Sequence, residues 1–314
     1  MEKYLFVTHC NSAYLTRASA MIISLTTYSP GARVLLIYHD EETKKAFQKL
    51  NLNSVTVIDV EEVIVRYKEL AIARTNRPLI EFLYCLSPFV VRFCFDVFKP
   101  ERVFYVDADL FFFADPAELI DKELTTSVVL VSHNFPIGFE HLKKYGNFNV
   151  GWLQFNENFS GRQILEWWSN KCLDSTASDL EANVYGDQKY LDEIPVIFPG
   201  VVIRNSLGEN LAPWNLKGRL LTRSNSSKFV DGNQLIYFHF SGLRLLKHGV
   251  ILGLSHYSYS NSCRFRRLIF IPYLKALKKS GDLINPEFRF DKRKTSLKII
   301  VKSIIFRDFS LYRV

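Results

Sequence analysis

The sequence is short of the features that announce many protein classes. Its five cysteines, Cys10, Cys85, Cys94, Cys172 and Cys263, are odd in number and scattered, with no CxxC spacing. Neither a disulfide framework nor a cysteine zinc site is expected, and a reducing compartment fits best. No apolar run approaches the roughly 18 residues of a spanning helix. The run Tyr4-Leu5-Phe6-Val7 is too short for the hydrophobic region of a signal peptide. The expected location is cytoplasmic, with the inner face of the cytoplasmic membrane as a peripheral alternative. No GxGxxG follows the first apolar run and no GxxxxGKS/T occurs anywhere, which argues against dinucleotide and P-loop chemistry. Repeats and low-complexity tracts are absent as well.

What is present is apolar and aromatic. Of 314 residues, 48% are hydrophobic, with 26 Phe and 15 Tyr, enough to bury a large core. The net charge of +8 is uneven. Residues 263–314 hold 14 Lys+Arg against 4 Asp+Glu, whereas the other 262 residues hold 26 against 28. Nucleic acid, an anionic membrane and a solvated face are all readings of such a segment. Because no binding motif accompanies the charge, nucleic acid is not expected as a partner.

Tyr4–Thr8, Arg33–Tyr38 and Val55–Val60 read as strands separated by helical Leu15–Thr27 and Glu41–Leu50, and Ser29-Pro30-Gly31 closes the first helix. This β-α-β-α-β order predicts an α/β fold with a parallel sheet covered by helices. Residues 61–98 read as helix interrupted near Pro78 and Pro88. Val103–Val106, Val128–Val131, Trp152–Phe155 and Leu235–Phe240 are further strands, and Gln163–Cys172 is a helix. The second half loses the βα rhythm, so one mixed-sheet domain is expected.

The strand Val103–Val106 runs into Asp107-Ala108-Asp109. Residues i and i+2 of a strand share a face, with Cα atoms roughly 6.5–7 Å apart. Two hard oxygen donors so placed can share one Mg²⁺ or Mn²⁺, which could neutralise charge on a departing diphosphate. The plain alternative is two solvated carboxylates capping the next turn.

Phe104-Tyr105-Val106-Asp107-Ala108-Asp109-Leu110 with Asp115-Pro116 resembles the DxD segment of GT-A glycosyltransferases. Asn147-Phe148-Asn149-Val150-Gly151, Tyr185-Gly186-Asp187-Gln188 and His239-Phe240-Ser241-Gly242 are similar to the NxG, DQ and HxxG segments of glycosyltransferase family 8 and its relatives, in the family's order. The resemblance implies a GT-A (Rossmann-like) catalytic domain over 1–255. Nucleotide-sugar binding falls in about 1–115 and the acceptor side in about 116–255, followed by a basic, amphipathic helical segment, 256–314. It implies transfer from a nucleotide diphosphosugar, with a UDP-sugar favoured, to a glycan or lipid-linked glycan in surface polysaccharide biosynthesis. Retention at the anomeric centre goes with it.

By the same resemblance His239 is the third metal ligand beside Asp107 and Asp109, a role neutral imidazole suits; by pattern alone it is a structural strand histidine. Asn149 and Gly151 line the donor-sugar pocket, and Ala108 and Gly242 belong to the donor-binding segments. Asp187 or Gln188 stands beside the anomeric carbon, although Asp187 is equally a helix N-cap. The family carries a Lys three residues after the late glycine; here Leu245 stands there, so Arg244 or Lys247 is the candidate partner of the diphosphate. Thr8, Asn11 and Tyr14 after the first strand, and His39 and Asp40 after the second, are candidates for the nucleotide, with loop polarity and capping as alternatives. Trp214 either offers a sugar an apolar face or plugs the core. Rival functions are a haloacid-dehalogenase-type phosphatase, which also uses a DxD but in its first strand, and a non-catalytic membrane-surface adaptor. The latter rests on Leu268–Leu277 and Leu297–Phe306, apolar helical stretches with basic flanks that include Lys292-Arg293-Lys294.

Overall fold

The computed structural model describes residues 4–121, 123, 125–247, 249–260, 262–285, 291 and 295–311; Lys292-Arg293-Lys294 lie outside them. The chain opens with β1 (Tyr4–Cys10), α1 (Leu15–Tyr28), β2 (Val34–Tyr38), α2 (Glu41–Leu50) and β3 (Val55–Asp59). These three strands pair in parallel. Every residue of β2 is buried, as a strand covered on both faces requires. Then come α3 (Val60–Arg66), α4 (Glu69–Asn76), α5 (Leu79–Phe93), β4 (Arg102–Val106) and β5 (Leu110–Phe112).

Pro78 caps α5, but Pro88 does not interrupt it: the helix runs through to Phe93 with Pro88 buried. The missing amide hydrogen of Pro88 leaves the carbonyl one turn earlier without its helical donor. Burial of Phe82, Leu86, Phe89, Val90 and Phe93 outweighs that loss.

The second half contributes β6 (Val128–Ser132), β7 (Phe148–Asn156), α6 (Phe159–Asp174), α7 (Ile194–Ile197) and β8 (Val201–Arg204). The main sheet has the order β3-β2-β1-β4-β7-β6-β8. Strand β7 pairs antiparallel with both β4 and β6, so the sheet is mixed. Strand order reverses at β1, whose neighbours β2 and β4 are both parallel to it. Beyond the carboxyl ends of β1 and β4 lies the crevice where open α/β sheets bind ligands. One face of the sheet packs on α3, α4, α5 and α6, and the other on α1 and α2.

A small meander follows, β9 (Leu221–Ser224), β10 (Ser227–Val230) and β11 (Asn233–Gln234), then β12 (Tyr237–His239), β13 (Arg244–Leu246) and β14 (Gly249–Ile251). Strand β12 is shorter than the expected Leu235–Phe240 and pairs antiparallel with β5, His239 opposite Leu110. Last come α8 (Cys263–Phe265), α9 (Ile271–Ile284), α10 (Leu297–Ile305) and β15 (Phe309–Leu311). No helix among the described residues is long and apolar enough to cross a membrane.

The division at 255/256 is crossed by packing. Helix α9 lies on α1 and α2. Ile269, Phe270, Tyr273 and Leu277 are buried with Leu211, Phe238 and Phe240 in a third core, so the apolar face of 268–277 meets protein. β15 pairs with β14. The buried guanidinium of Arg17 in α1 donates to both carboxylate oxygens of Asp291 at 2.8 and 2.9 Å and to the Leu243 carbonyl at 3.1 Å. Asp291 also accepts from the Leu245 amide at 2.9 Å. Removing the carboxylate leaves a buried cation with only two neutral acceptors, the Leu243 and Ala13 carbonyls. Asp291→Ala is therefore expected to lower unfolding free energy by about 3 kcal/mol, read as a shifted urea midpoint. A midpoint equal to wild type contradicts this role.

Candidate functional site

The carboxylate pair departs from the expected strand alternation. β4 stops at Val106, and residues 107–109 form a turn into β5, in which the Leu110 amide donates to the Asp107 carbonyl at 3.3 Å. The turn brings both carboxylates to the imidazole of His239, whose Nε2 is 3.1 Å from Asp109 Oδ1 and 3.8 Å from Asp107 Oδ2. Backbone pairing holds the two segments together: Phe240 N donates to Asp109 O at 2.9 Å, and His239 N to Leu211 O at 2.9 Å. One ligand atom from each of the three side chains lies within 4.8 Å of the others. Two hard carboxylates and one imidazole at this spacing can hold a divalent cation.

Asn149 sets the orientation of the imidazole. Its Oδ1 accepts from the Gly151 amide at 2.8 Å and contacts His239 Nδ1 at 3.2 Å. Since Oδ1 can only accept, Nδ1 must carry the proton, which leaves Nε2 to face the carboxylates. This is the outer support that metal-binding histidines ordinarily receive. The amide nitrogen of Asn149 approaches His133 Nε2 and Gln188 Oε1, each at 3.3 Å. A Cβ on Gly151 would collide with Asn149 Oδ1 and lie 2.8 Å from His239 Nδ1. Glycine is therefore required there for packing behind the site.

Burial acts on every titratable group here. It raises the Asp107 carboxyl despite the nearby imidazole. At Asp109 burial acts the same way, but the charge and hydrogen bond of His239 outweigh it and the carboxyl is lowered. The His239 imidazole is raised: burial opposes its charge, and Asp109 and then Asp107 more than offset that. A bound cation would take the place of that proton. His133 is held neutral, pushed down to about 3 by burial and then by His239.

Asp187 is 5% exposed and does not cap the following 3-10 turn. Burial pushes its carboxyl up to about 7, against a hydrogen bond from Ser87. Its carbonyl accepts from Trp168 Nε1 at 2.9 Å, and Gln188 Nε2 donates to the Tyr145 carbonyl at 2.9 Å.

These groups line one cavity of about 880 Å³. Asn11, Tyr14, Asp107, Ala108, Asp109, Asn149, Asp187, Gln188, His239 and Gly242 all border it. Thr8, His39, Gly151 and Arg244 do not. Thr8 is buried behind the wall. His39 Nε2 touches His9 Nδ1 at 3.1 Å, and it is His9 that lines the cavity, with Tyr105 at 3.2 Å on its other nitrogen. Asp40 pins the β1–α1 loop by accepting from Ser12 N at 2.8 Å while capping α2 through Thr43 N. Trp214 borders the cavity edge-on to His239, with its indole N–H on the His133 carbonyl. The sequence reading missed Tyr84, Ser87, His133 and Tyr257 in the wall. For His133 the end of an apolar strand was the available signal; the other three come from helical segments with no local cue.

A raised carboxyl means that the folded protein holds this proton more tightly than the unfolded chain. The stabilisation is therefore complete below the ordinary Asp value of 3.8 and lost as pH rises through about 7. Asp187→Asn removes that loss. Its melting temperature is expected to exceed wild type at about pH 8.5 by more than at about pH 5. A variant less stable than wild type at both pH values would restore the capping role.

No protein-family model matches the chain. The uncharacterised protein YfnD of Bacillus subtilis (strain 168) is 27% identical over 295 residues, covering 92% of this chain and 93% of YfnD. YfnF of the same strain is 28% identical over 255 residues, covering 77% and 82%. Among solved structures, the galactosyltransferase LgtC in complex with donor and acceptor sugar analogues superposes with a TM-score of 0.55. That match covers 95% of this chain and 99% of LgtC at 14% identity. At that identity the likeness is one of architecture: the chain has the GT-A fold, a mixed sheet flanked by helices.

Proposed function

We propose that this protein is a metal-dependent glycosyltransferase, moving a sugar from a nucleotide diphosphosugar, a UDP-sugar by preference, to a glycan or lipid-linked glycan. The observation that carries the reading is the Asp107–Asp109–His239 group on a cavity beyond the carboxyl ends of β1 and β4. These three side chains would hold Mn²⁺ or Mg²⁺, which supplies charge neutralisation to a leaving diphosphate. Asn11 and Tyr14 border the nucleotide end. Gln188, tethered to Tyr145 and Asn149, keeps its carboxamide beside the reacting carbon. Asp187 holds a proton near neutral pH and can donate it as a hydrogen bond. A phosphatase using the same triplet needs a free aspartate nucleophile; here each carboxylate faces an imidazole held against it.

Donor hydrolysis and UDP binding test the reading. Asp107→Ala and Asp109→Ala are each expected to lower turnover by about two to three orders of magnitude and to abolish metal-dependent UDP binding, with the fold retained. Near-wild-type turnover by Asp109→Ala in a chelator-controlled assay sinks the metal role.

A lipid-linked acceptor is favoured by α10. Leu297, Val301, Ile304 and Ile305 are 75, 47, 57 and 70% exposed and share one helix face. Lys298 and Lys302 border that face along one edge. The helix packs on Leu254–Tyr257, whose His256 and Tyr257 line the cavity. An apolar face with cationic neighbours suits an anionic bilayer surface. Replacing Leu297 and Ile304 together by Ser is expected to weaken co-sedimentation with phosphatidylserine vesicles about tenfold. Equal sedimentation of the two proteins, or none by either, removes the membrane role.

A further inference from the structure

The cavity extends past the metal-binding group to a wall of tyrosines. Tyr145 ends a 3-10 turn, Glu140–Tyr145, and Tyr257 ends another, Leu254–Tyr257. Tyr185 precedes Gly186, whose φ is +57° and whose missing Cβ would lie 3.2 Å from the Tyr84 ring. A side chain at 186 would be strained in that left-handed backbone, so the glycine fixes how Tyr185 enters the cavity. The rings of Tyr145 and Tyr185 are 4.8 Å apart and tilted by 55°. Tyr257 lines the same cavity as that pair, and its phenol is pushed up to about 12 by burial and then by Tyr185 and Tyr145.

These hydroxyls have no protein hydrogen-bond partner among the described residues, although all three line the cavity. Two other tyrosines nearby are spent on the fold: Tyr190 donates to the Ser175 carbonyl at 2.8 Å and Tyr259 to the Pro213 carbonyl. A half-buried phenol with neither donor nor acceptor engaged is suited to a ligand that brings both. A pyranose does so, with an apolar C–H face that packs on aromatic rings and a rim of hydroxyls that donate and accept. The platform is also wired to the groups beside the reacting carbon. The Tyr145 carbonyl receives the Gln188 carboxamide at 2.9 Å, and Tyr185 stands two residues before Asp187.

We infer that Tyr145, Tyr185 and Tyr257 form the acceptor subsite, taking a pyranose ring on the Tyr145–Tyr185 pair with its hydroxyls met by the three phenols. The inference rests on the transferase reading, and it places acceptor recognition on residues separate from those that bind metal and nucleotide. It predicts a division of labour: these tyrosines govern affinity for the sugar and leave affinity for the nucleotide alone.

The test uses the full chain with Mn²⁺ and UDP, and methyl β-D-galactopyranoside and methyl α-D-glucopyranoside as probes. Saturation-transfer NMR is expected to carry magnetisation from tyrosine protons to the ring C–H protons of at least one probe. Tyr145→Ala and Tyr185→Ala are each expected to weaken that probe about tenfold, and Tyr257→Phe, which keeps the ring, about fivefold. Calorimetric affinity for UDP with Mn²⁺ stays within about twofold in all three. Should an alanine variant fail to fold, Tyr185→Phe and Tyr257→Phe carry the comparison. No transfer to either probe from wild type, or probe affinities equal to wild type in the variants, overturns the subsite. Loss of UDP binding by the wild type with a probe still held at the tyrosines would contradict the transferase reading instead.

Discussion

The structure turns on one constraint: two partly buried carboxylates on a cavity wall and the buried imidazole behind them must satisfy one another. Buried polar groups left unpaired are costly, and satisfied networks specify a single arrangement. His239 meets that demand from both nitrogens, with Nδ1 on Asn149 and Nε2 on the carboxylates. To reach both it must stand on a strand paired with β5, immediately after the 107–109 turn. Asn149 must in turn lie on β7, beside β4 in the main sheet, and Gly151 must lack a side chain. The antiparallel β7 inserted next to a parallel half-sheet is what allows these segments to converge.

The basic C-terminal stretch belongs to the same economy of burial. Arg17 sits at the start of α1, next to the β1–α1 loop, and its charge is neutralised by Asp291, 274 residues later. Asp291 and Asp308 then hold the backbone at Leu245, Leu254 and Ser255. Residues beyond 255 thus complete the wall that carries Gly242, His256 and Tyr257. A composition-based boundary sees only the shift in charge. It cannot see that α9 buries its apolar stripe on α1 while α10 leaves one open, because an amphipathic helix has the same pattern against protein as against lipid.

Legibility follows the range of the interaction. The β1-to-β3 half could be read because parallel strands buried on both faces give continuous apolar runs with turn residues between them. The triplet at 107–109 is legible as a carboxylate pair, but not its turn geometry: Leu110 N closes the turn locally on the Asp107 carbonyl, and the Gly151 carbonyl holds Asp107 N from across the fold. Pro88 read as an interruption because local propensity takes no account of the core that α5 fills. Asn149 could be found through its segment, but its hold on His239 spans 90 residues and has no local trace. Tyr257 has no local trace for the same reason.

The central claim is that Asp107, Asp109 and His239 together bind the cation that serves a nucleotide diphosphate. Anomalous diffraction at the manganese edge, from crystals grown with Mn²⁺ and UDP, addresses it directly. The account predicts a single strong peak within coordinating distance of both carboxylates and of His239 Nε2, with UDP diphosphate oxygens against it. A peak elsewhere, or UDP bound in the cavity with no cation at these three side chains, would contradict it.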